Sequence, residues 1–551
     1  MLKNIDPNQI CDLEGAKTAI RLLMNVIEDL QTQVLSLKEE NQRLRDENNR
    51  LKGEQGRPDI LKNKDDKKKS NISSEKERKK PSEWEKSSKN DKIPITRTEK
   101  VPVDKALLPI DAEFKGYEEA IFQDILIRPD NVCFQREKFY SRSLGKTFLA
   151  PLPSGYDGQF GPGIKTFVIV QYYSCNVSEA KILESLHHFG VEISAGQIAK
   201  MVHDYTGKFQ KEREKILKEG LQSTPYQHYD DTGTRVNGKS KYCHILGNPF
   251  FTYYSTCPRK DRLTVIDVLM GGQKRTYLLD ELAHTILEGF KIPGTVIRTL
   301  ESEFPQLQVM PEEDFSARLA LLLPNLGPQQ KTRILEAGAI AAYHAQTGFP
   351  IVLMLICDDA PQFKIVTSLL SLCWVHEGRH YKKLQPCLEI HRTALDGFIK
   401  KFWEYYDKLL SWQQNPDMLQ RESLEMEFDK LFATKTGYDQ LDDRIKKTQE
   451  KKVNLLQVLD HPETPLNNNP AELGARARVR KRDVSFGPRS EEGVTAWDTF
   501  MTLAETAKKL GVSFFAYIFD RISGANRMVK LSDLIAAKAK EMHSSLAADT
   551  S

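Results

Sequence analysis

Tyr226-Gln-His-Tyr-Asp-Asp-Thr-Gly-Thr-Arg-Val-Asn-Gly-Lys239, continued by Lys241-Tyr-Cys-His-Ile-Leu-Gly-Asn-Pro-Phe-Phe-Thr-Tyr-Tyr-Ser255, decides the fold. Aromatic and β-branched runs broken by Gly, Asn and Pro clusters predict a meander of three short strands. The first is expected to end at Asp230. A polar turn follows, then strands at Tyr242–Leu246 and Phe250–Ser255. Asp230-Asp231 has two readings here. It opens a solvated turn, or it sets a carboxylate on a strand that faces a cleft.

Working outward, Pro350-Ile-Val-Leu-Met-Leu-Ile-Cys-Asp-Asp359 is an apolar run closed by two acids. Such a run reads as a central strand buried on both faces, and an acid at its carboxyl end is well placed for a cleft. A third acid, Glu472, sits in Pro465-Leu-Asn-Asn-Asn-Pro-Ala-Glu472. Asn469 suits a helix cap and Pro470 the first helical position, so Glu472 is expected in the first turn. The order is strand acid, strand acid, helix acid. That order on a meander-first sheet suggests an RNase H-like domain.

Composition sets limits. At 551 residues the chain is expected to hold about three or four domains. A hydrophobic fraction of 40% is enough for ordinary cores. No apolar run approaches the roughly 18–20 residues of a membrane span, and Met1-Leu-Lys-Asn-Ile-Asp6 is no signal peptide. Eight scattered cysteines without a C-x-x-C pair predict neither a disulfide framework nor a zinc ribbon, and fit a reducing cytoplasm.

Residues 1–56 read as a coiled-coil helix. Leu23, Leu30, Leu37, Leu44 and Leu51 recur every seven residues as d positions. Ile20, Ile27, Val34, Asn41 and Asn48 then fall at a. β-branched a with Leu d favours a parallel dimer, and Asn41 and Asn48 would fix its register. Glu40 and Glu47 at g would meet Arg45 and Lys52 at e of the partner. The other reading is a single amphipathic helix packed on its own protein. Residues 57–104 are expected to be a disordered basic linker: 61–100 hold 14 Lys/Arg against 8 Asp/Glu. It is a solvated spacer or an arm lying along DNA phosphates.

Residues 105–175 read as a small β-rich module, with Asp124–Ile127, Val132–Phe134, Thr147–Leu149 and Thr166–Val170 as strands. Residues 176–222 carry a helix-turn-helix-like pair, capped by Ser178 and Ser194, that either contacts DNA or simply packs. The expected catalytic domain is 223–485. Helical insertions are expected at about 260–345 and 380–460, with a helix after Asp358 and a strand from Leu372 to His376. Residues 486–551 read as a C-terminal helical region. After Glu472, Arg476, Arg478, Arg480, Lys481 and Arg482 predict a basic, DNA-binding rim.

Several pieces together resemble the transposases of the insertion sequence 66 family, within the DDE transposase superfamily. They are Tyr229-Asp-Asp-Thr-Gly233, Leu372-Cys-Trp-Val-His376, Leu466-Asn-Asn-Asn-Pro-Ala-Glu472, Val484-Ser-Phe-Gly487 and Thr502-Leu-Ala-Glu-Thr-Ala-Lys-Lys-Leu-Gly511. They cover about 226–520 in order. The resemblance implies Asp230, Asp358 and Glu472 as catalytic, metal-binding acids, with Cys373, His376, Asp231 and Asp359 in support. Four departures stand out. The family's zinc-ribbon cysteines are absent. Asn467 stands where Asp is usual, and Leu473 follows Glu472 where Arg is usual. The insertion between the first two acids is long.

The expected fold is therefore a multidomain α+β and α/β chain: coiled coil, helical and β DNA-binding region, and RNase H-like domain with large helical insertions. The expected function is metal-dependent DNA cleavage and strand transfer with two Mg²⁺ or Mn²⁺ ions, because hard cations take carboxylate oxygens. The expected partners are double-stranded DNA, as terminal inverted repeats and target, and a second copy of the chain. No membrane partner is expected, and the expected setting is the bacterial cytoplasm, at the nucleoid. Two alternatives stay open: a catalytically silent coiled-coil DNA-binding protein, and a structure-selective nuclease.

Overall fold

The computed structural model describes residues 12–51, 93–109, 112–304 and 307–549. Most of the expected basic linker, up to residue 92, lies outside them. Among the described residues no helix is long and apolar enough to cross a membrane.

The heptad stretch forms one 39-residue helix, α1 (Leu13–Leu51). Within the expected β-rich module only a hairpin forms, β1 (Lys138–Ser141) with β2 (Lys146–Leu149). Asp124–Ile127 and Val132–Phe134 carry no regular structure. Thr166–Val170, expected as a strand, lies in α2 (Pro162–Tyr173). Pro162 starts that helix, and Val168, Ile169 and Tyr172 then reach a common core at helical spacing. The paired helices are α3 (Glu179–His188) and α4 (Ala195–Asp204), followed by α5 (Thr206–Gln222). Ser194 caps α4 through the amide of Gln197, whereas Ser178 makes no side-chain cap.

A five-stranded mixed sheet forms the centre, in the order β5 (Thr252–Cys257), β4 (Lys239–Gly247), β3 (Tyr226–Val236), β8 (Met354–Cys357), β9 (Leu369–Leu372). β3 (Tyr226–Val236) and β4 (Lys239–Gly247) are longer than expected, and β3 runs straight through Asp230. The reason is the turn. Asn237 and Gly238 both take positive φ, 47° and 76°, so a two-residue turn suffices. β5 (Thr252–Cys257) completes the meander. Its outer edge is closed by α18 (Glu491–Leu510). Amides of Thr252, Tyr254 and Thr256 donate to Thr506, Thr502 and Asp498, at 3.3, 3.1 and 2.7 Å. Outward amides on alternate strand residues thus meet acceptors four apart on the helix, so the edge is not left unpaired.

Between β5 and β8 runs the first insertion. It comprises α6 (Arg262–Leu269), β6 (Thr276–Tyr277), α7 (Glu281–Gly289), α8 (Gly294–Glu303), β7 (Met310–Pro311), α9 (Glu312–Leu322) and α10 (Pro328–Ala345). β8 is short (Met354–Cys357) and parallel to β3 and to β9 (Leu369–Leu372). The α-helix expected directly after Asp358 does not form before β9. A single 3-10 turn at Pro361–Phe363 leads into β9, whose Leu369 and Leu370 pair in register with β8. The expected strand to His376 stops at Leu372. Cys373 then caps α11 (Trp374–Lys382), its sulfur accepting from the amide of His376 at 3.4 Å.

The second insertion continues through α12 (Glu389–Gln414), α13 (Met418–Phe432), α14 (Asp439–Gln449), α15 (Lys452–Leu455) and α16 (Gln457–Asp460). It has its own core, with Trp374, Phe402, Tyr406, Phe428 and Phe432 packed together. α17 (Asn469–Ser485) returns to the sheet, and α19 (Phe514–Ile522) and α20 (Leu531–Asp549) end the chain. The cap of α17 is Asn468, one residue earlier than expected.

Candidate active site

β3 and β8 are parallel neighbours with His228 opposite Ile356. Asp230 and Asp358 each lie two residues further along, side by side at the carboxyl end of β8. α17 crosses the same end. Gly474 lets it lie close, because a Cβ there would stand 2.8 Å from Ile245. Glu472, in the first turn of α17, therefore faces the two aspartates. Asp230, Asp358, Cys373, His376, Arg379, Asn468, Glu472, Arg476 and Arg480 line one cavity of about 590 Å³.

Burial and like charge govern the acids. Desolvation, then Asp358, pushes the Asp230 carboxyl up to about 7. Asp358 is also raised by burial, with His376 opposing. Burial lowers His376, with Asp358 opposing. Glu472 is held differently: Arg379 Nη2 donates to its Oε2 at 2.6 Å, and Arg476 lies 3.7 Å from the same oxygen. Among the described residues no group of three His, Cys, Asp or Glu side chains is gathered closely enough to hold an ion. The donor set itself fits a hard divalent cation in kind: three carboxylates, two of them costly to ionise without a counter-charge.

The expected supporting residues divide. The Cys373 thiol, pushed up to about 12 by burial, is a neutral structural group. Its sulfur also accepts from the amide of Asn468 at 3.3 Å, so it ties the starts of α11 and α17 together. Asp231 accepts from Gln362 at 2.8 Å and lies 3.4 Å from Lys260. Asp359 pairs with Lys364 at 2.9 Å and Lys451 at 2.7 Å. Lys451 also reaches Glu377, which Arg444 and Thr448 hold from α14. The second insertion thus braces both the loop after β8 and α11.

The expected basic rim is corrected in two places. Arg476 and Arg480 face the cavity, four residues apart along α17. Arg478 and Lys481 fall on the opposite face and are 1% and 0% exposed. Arg478 pairs with Asp498 at 3.3 Å, and Lys481 sits 3.2 Å above the Tyr172 ring. Neither can reach a solvent-side ligand. Arg482 is partly exposed and donates to the Gly233 carbonyl at 2.6 Å.

Two site residues escape the sequence reading. Arg379 carries no pattern of its own. It is found only once α11 is known to be a helix, which puts it on the His376 face by one turn. Asn468 is hidden among Asn467, Asn468 and Asn469. Its amide donates to the Tyr229 carbonyl at 2.7 Å, and its oxygen faces His228 Nδ1 at 3.1 Å. Burial pushes His228 down to about 3, so it is neutral and its Nδ1 carries the proton. Asn468 thereby fixes α17 against the residue preceding Asp230.

With this geometry in view, the model described as Transposase IS66 family matches residues 157–282 and 339–496. A similar protein of Sinorhizobium fredii (strain NBRC 101917 / NGR234), named Uncharacterized protein y4jO, is 31% identical over 328 residues. That match covers 59% of this chain and 100% of the relative. The first matched segment contains β3 with Asp230. The second contains Asp358 and Glu472, and the unmatched gap falls in the first insertion. The chain belongs to the IS66 family of transposases.

Proposed function

We propose that the chain cleaves DNA strands at the ends of its element and joins them to a target, using Asp230, Asp358 and Glu472 as a DDE triad. The observation that carries this is the convergence of those three acids, from two adjacent parallel strands and a helix first turn, on one open cavity. The strand order, antiparallel for β3 to β5 and parallel for β8 and β9, supports an RNase H-like reading. Two Mg²⁺ or Mn²⁺ ions would be held by the three carboxylates and would supply an activated water or 3′-hydroxyl and a neutralised leaving oxygen.

The chain's own groups then have distinct tasks. Arg476 and Arg480 set positive charge beside the acids, where a phosphodiester backbone would lie. Cys373 and Asn468 hold α17 at its distance from β3. His376, lowered by burial and raised by Asp358, lines the cavity beside that carboxylate. The partners would be double-stranded DNA and a second copy of the chain joined through α1.

Asp358→Ala tests the reading. It should lower cleavage of an end-containing duplex by at least about 10³-fold, since loss of one triad member removes a core catalytic interaction. End binding should change less than about threefold. Cleavage within a few-fold of wild type would overturn the assignment.

A further inference from the structure

An amphipathic helix on a globular protein normally buries its apolar stripe. α1 does the reverse. Ile27 and Leu30 are 44% and 53% exposed, while Asn25 and Glu28 are 7% and 1% exposed. In the heptad, Asn25, Glu28 and Asp29 occupy f, b and c, the outer positions away from the a/d seam. These outer positions dock on the second insertion. Glu28 accepts from the amides of Cys387 and Leu388, the latter at 3.1 Å, and lies 3.1 Å from His391 Nδ1. Asn25 donates to the Gly437 carbonyl and accepts from the Asp439 amide, both at 3.1 Å. Gln440 donates to Asp29 at 3.0 Å.

The contact places a buried carboxylate from another element at the entrance to a helix. α12 begins after Leu388, whose side chain caps nothing. The first amides of a helix need acceptors, and its N-terminal dipole favours an anion. Glu28 accepts from the two amides that lead into the helix and sets its negative charge at that end, which holds the polar face of α1 in place. The seam is left open on the other side.

We propose that α1 is a strut with two working faces: its outer face is clamped by Glu28 to the helical insertion, and its seam is closed by α1 of a second copy. The second copy is the occupant because Asn41 and Asn48 stand at a positions and Glu40 at g faces Arg45 at e, a pattern complementary to itself. The clamp and the seam lie on different sides, so both are occupied at once. Each catalytic sheet is then carried on the outside of the paired helices, through the clamp on the second insertion. This inference rests on the proposed pairing through α1.

Hydrogen exchange and sedimentation of the full chain separate the two faces. Glu28→Ala should speed exchange of a peptide covering 385–392 by at least about tenfold, because a buried acceptor of charged hydrogen bonds is lost. It should leave the dimer mass unchanged. Asn25→Ala, a milder change, should speed exchange at 437–440 alone. Leu30→Glu with Leu37→Glu should give monomers while 385–392 stays protected. Equal exchange in wild type and Glu28→Ala would overturn the clamp. Loss of the dimer in Glu28→Ala, or loss of protection in the leucine variant, would overturn the separation of the faces. A wild-type monomer at tens of micromolar with 385–392 still protected would instead overturn the pairing alone.

Discussion

At the scale of single residues, Asp230 and Arg379 decide how the site behaves without ions. The folded Asp230 carboxyl ionises near 7 and an unfolded one near 3.8. Between those values the folded state holds the extra proton, so stability falls as pH rises through the window. Asp230→Asn should therefore melt higher than wild type at pH 8 in chelator, by roughly 3 °C or more, with the gap closing towards pH 4. Mg²⁺ should narrow the gap by stabilising wild type alone. An equal Mg²⁺-induced rise in both proteins would put the ion elsewhere. Arg379 is paired with Glu472, and would compete there with the proposed ions. Arg379→Gln should tighten Mn²⁺ binding by roughly tenfold, because a cation leaves the carboxylates. Weaker binding would mean that Arg379 only positions Glu472. The placing of Asp358 and Glu472 was legible because one follows a strand end and the other sits in a helix first turn, each with its own signal. Asp230 instead lies inside β3 and not at the strand end expected of it. Arg379, Arg478 and Lys481 were not legible. Which face of a helix a cation occupies depends on what packs against it, and composition does not carry that.

At the scale of elements, the meander and α17 were legible, whereas β9, α11 and α2 were not. The Leu372–His376 run is apolar enough for a strand, and only the capping of α11 by Cys373 ends it early. Thr166–Val170 is β-branched and aromatic, yet tertiary burial makes it a helix. The pairing of β5 with α18 could not be anticipated either, because Asp498, Thr502 and Thr506 look like ordinary polar helix residues. Their spacing makes a test. Thr502→Val leaves the Tyr254 amide without its acceptor and should cost about 1–3 kcal/mol. Asp498→Ala strips the Thr256 amide and leaves Arg478 buried without its counter-ion, so it should cost roughly 3–5 kcal/mol. Denaturant midpoints that rank the two the other way would show that the edge contact outweighs the ion pair.

At the scale of the whole molecule, the two larger buried clusters among the described residues meet at the acids. One gathers the sheet with α2 to α5 and α18 to α20, and the other gathers the second insertion. Separate cores can melt as separate cooperative units. Among the described residues, Trp374, Trp403 and Trp412 belong to the insertion core and Trp497 to the other; Trp84 lies outside them. Indole emission therefore reports mainly on the insertion, whereas ellipticity at 222 nm averages over every helix. We expect the emission midpoint to fall below the ellipticity midpoint on heating. Strand cleavage should fade with the emission, because α11 brings Trp374 to the insertion core and Arg379 to Glu472. Coincident midpoints would show that the two cores unfold as one. If they part, the enzyme has a thermal fuse: a window of temperature in which the sheet and its two aspartates persist, but the helix that completes the site has already let go.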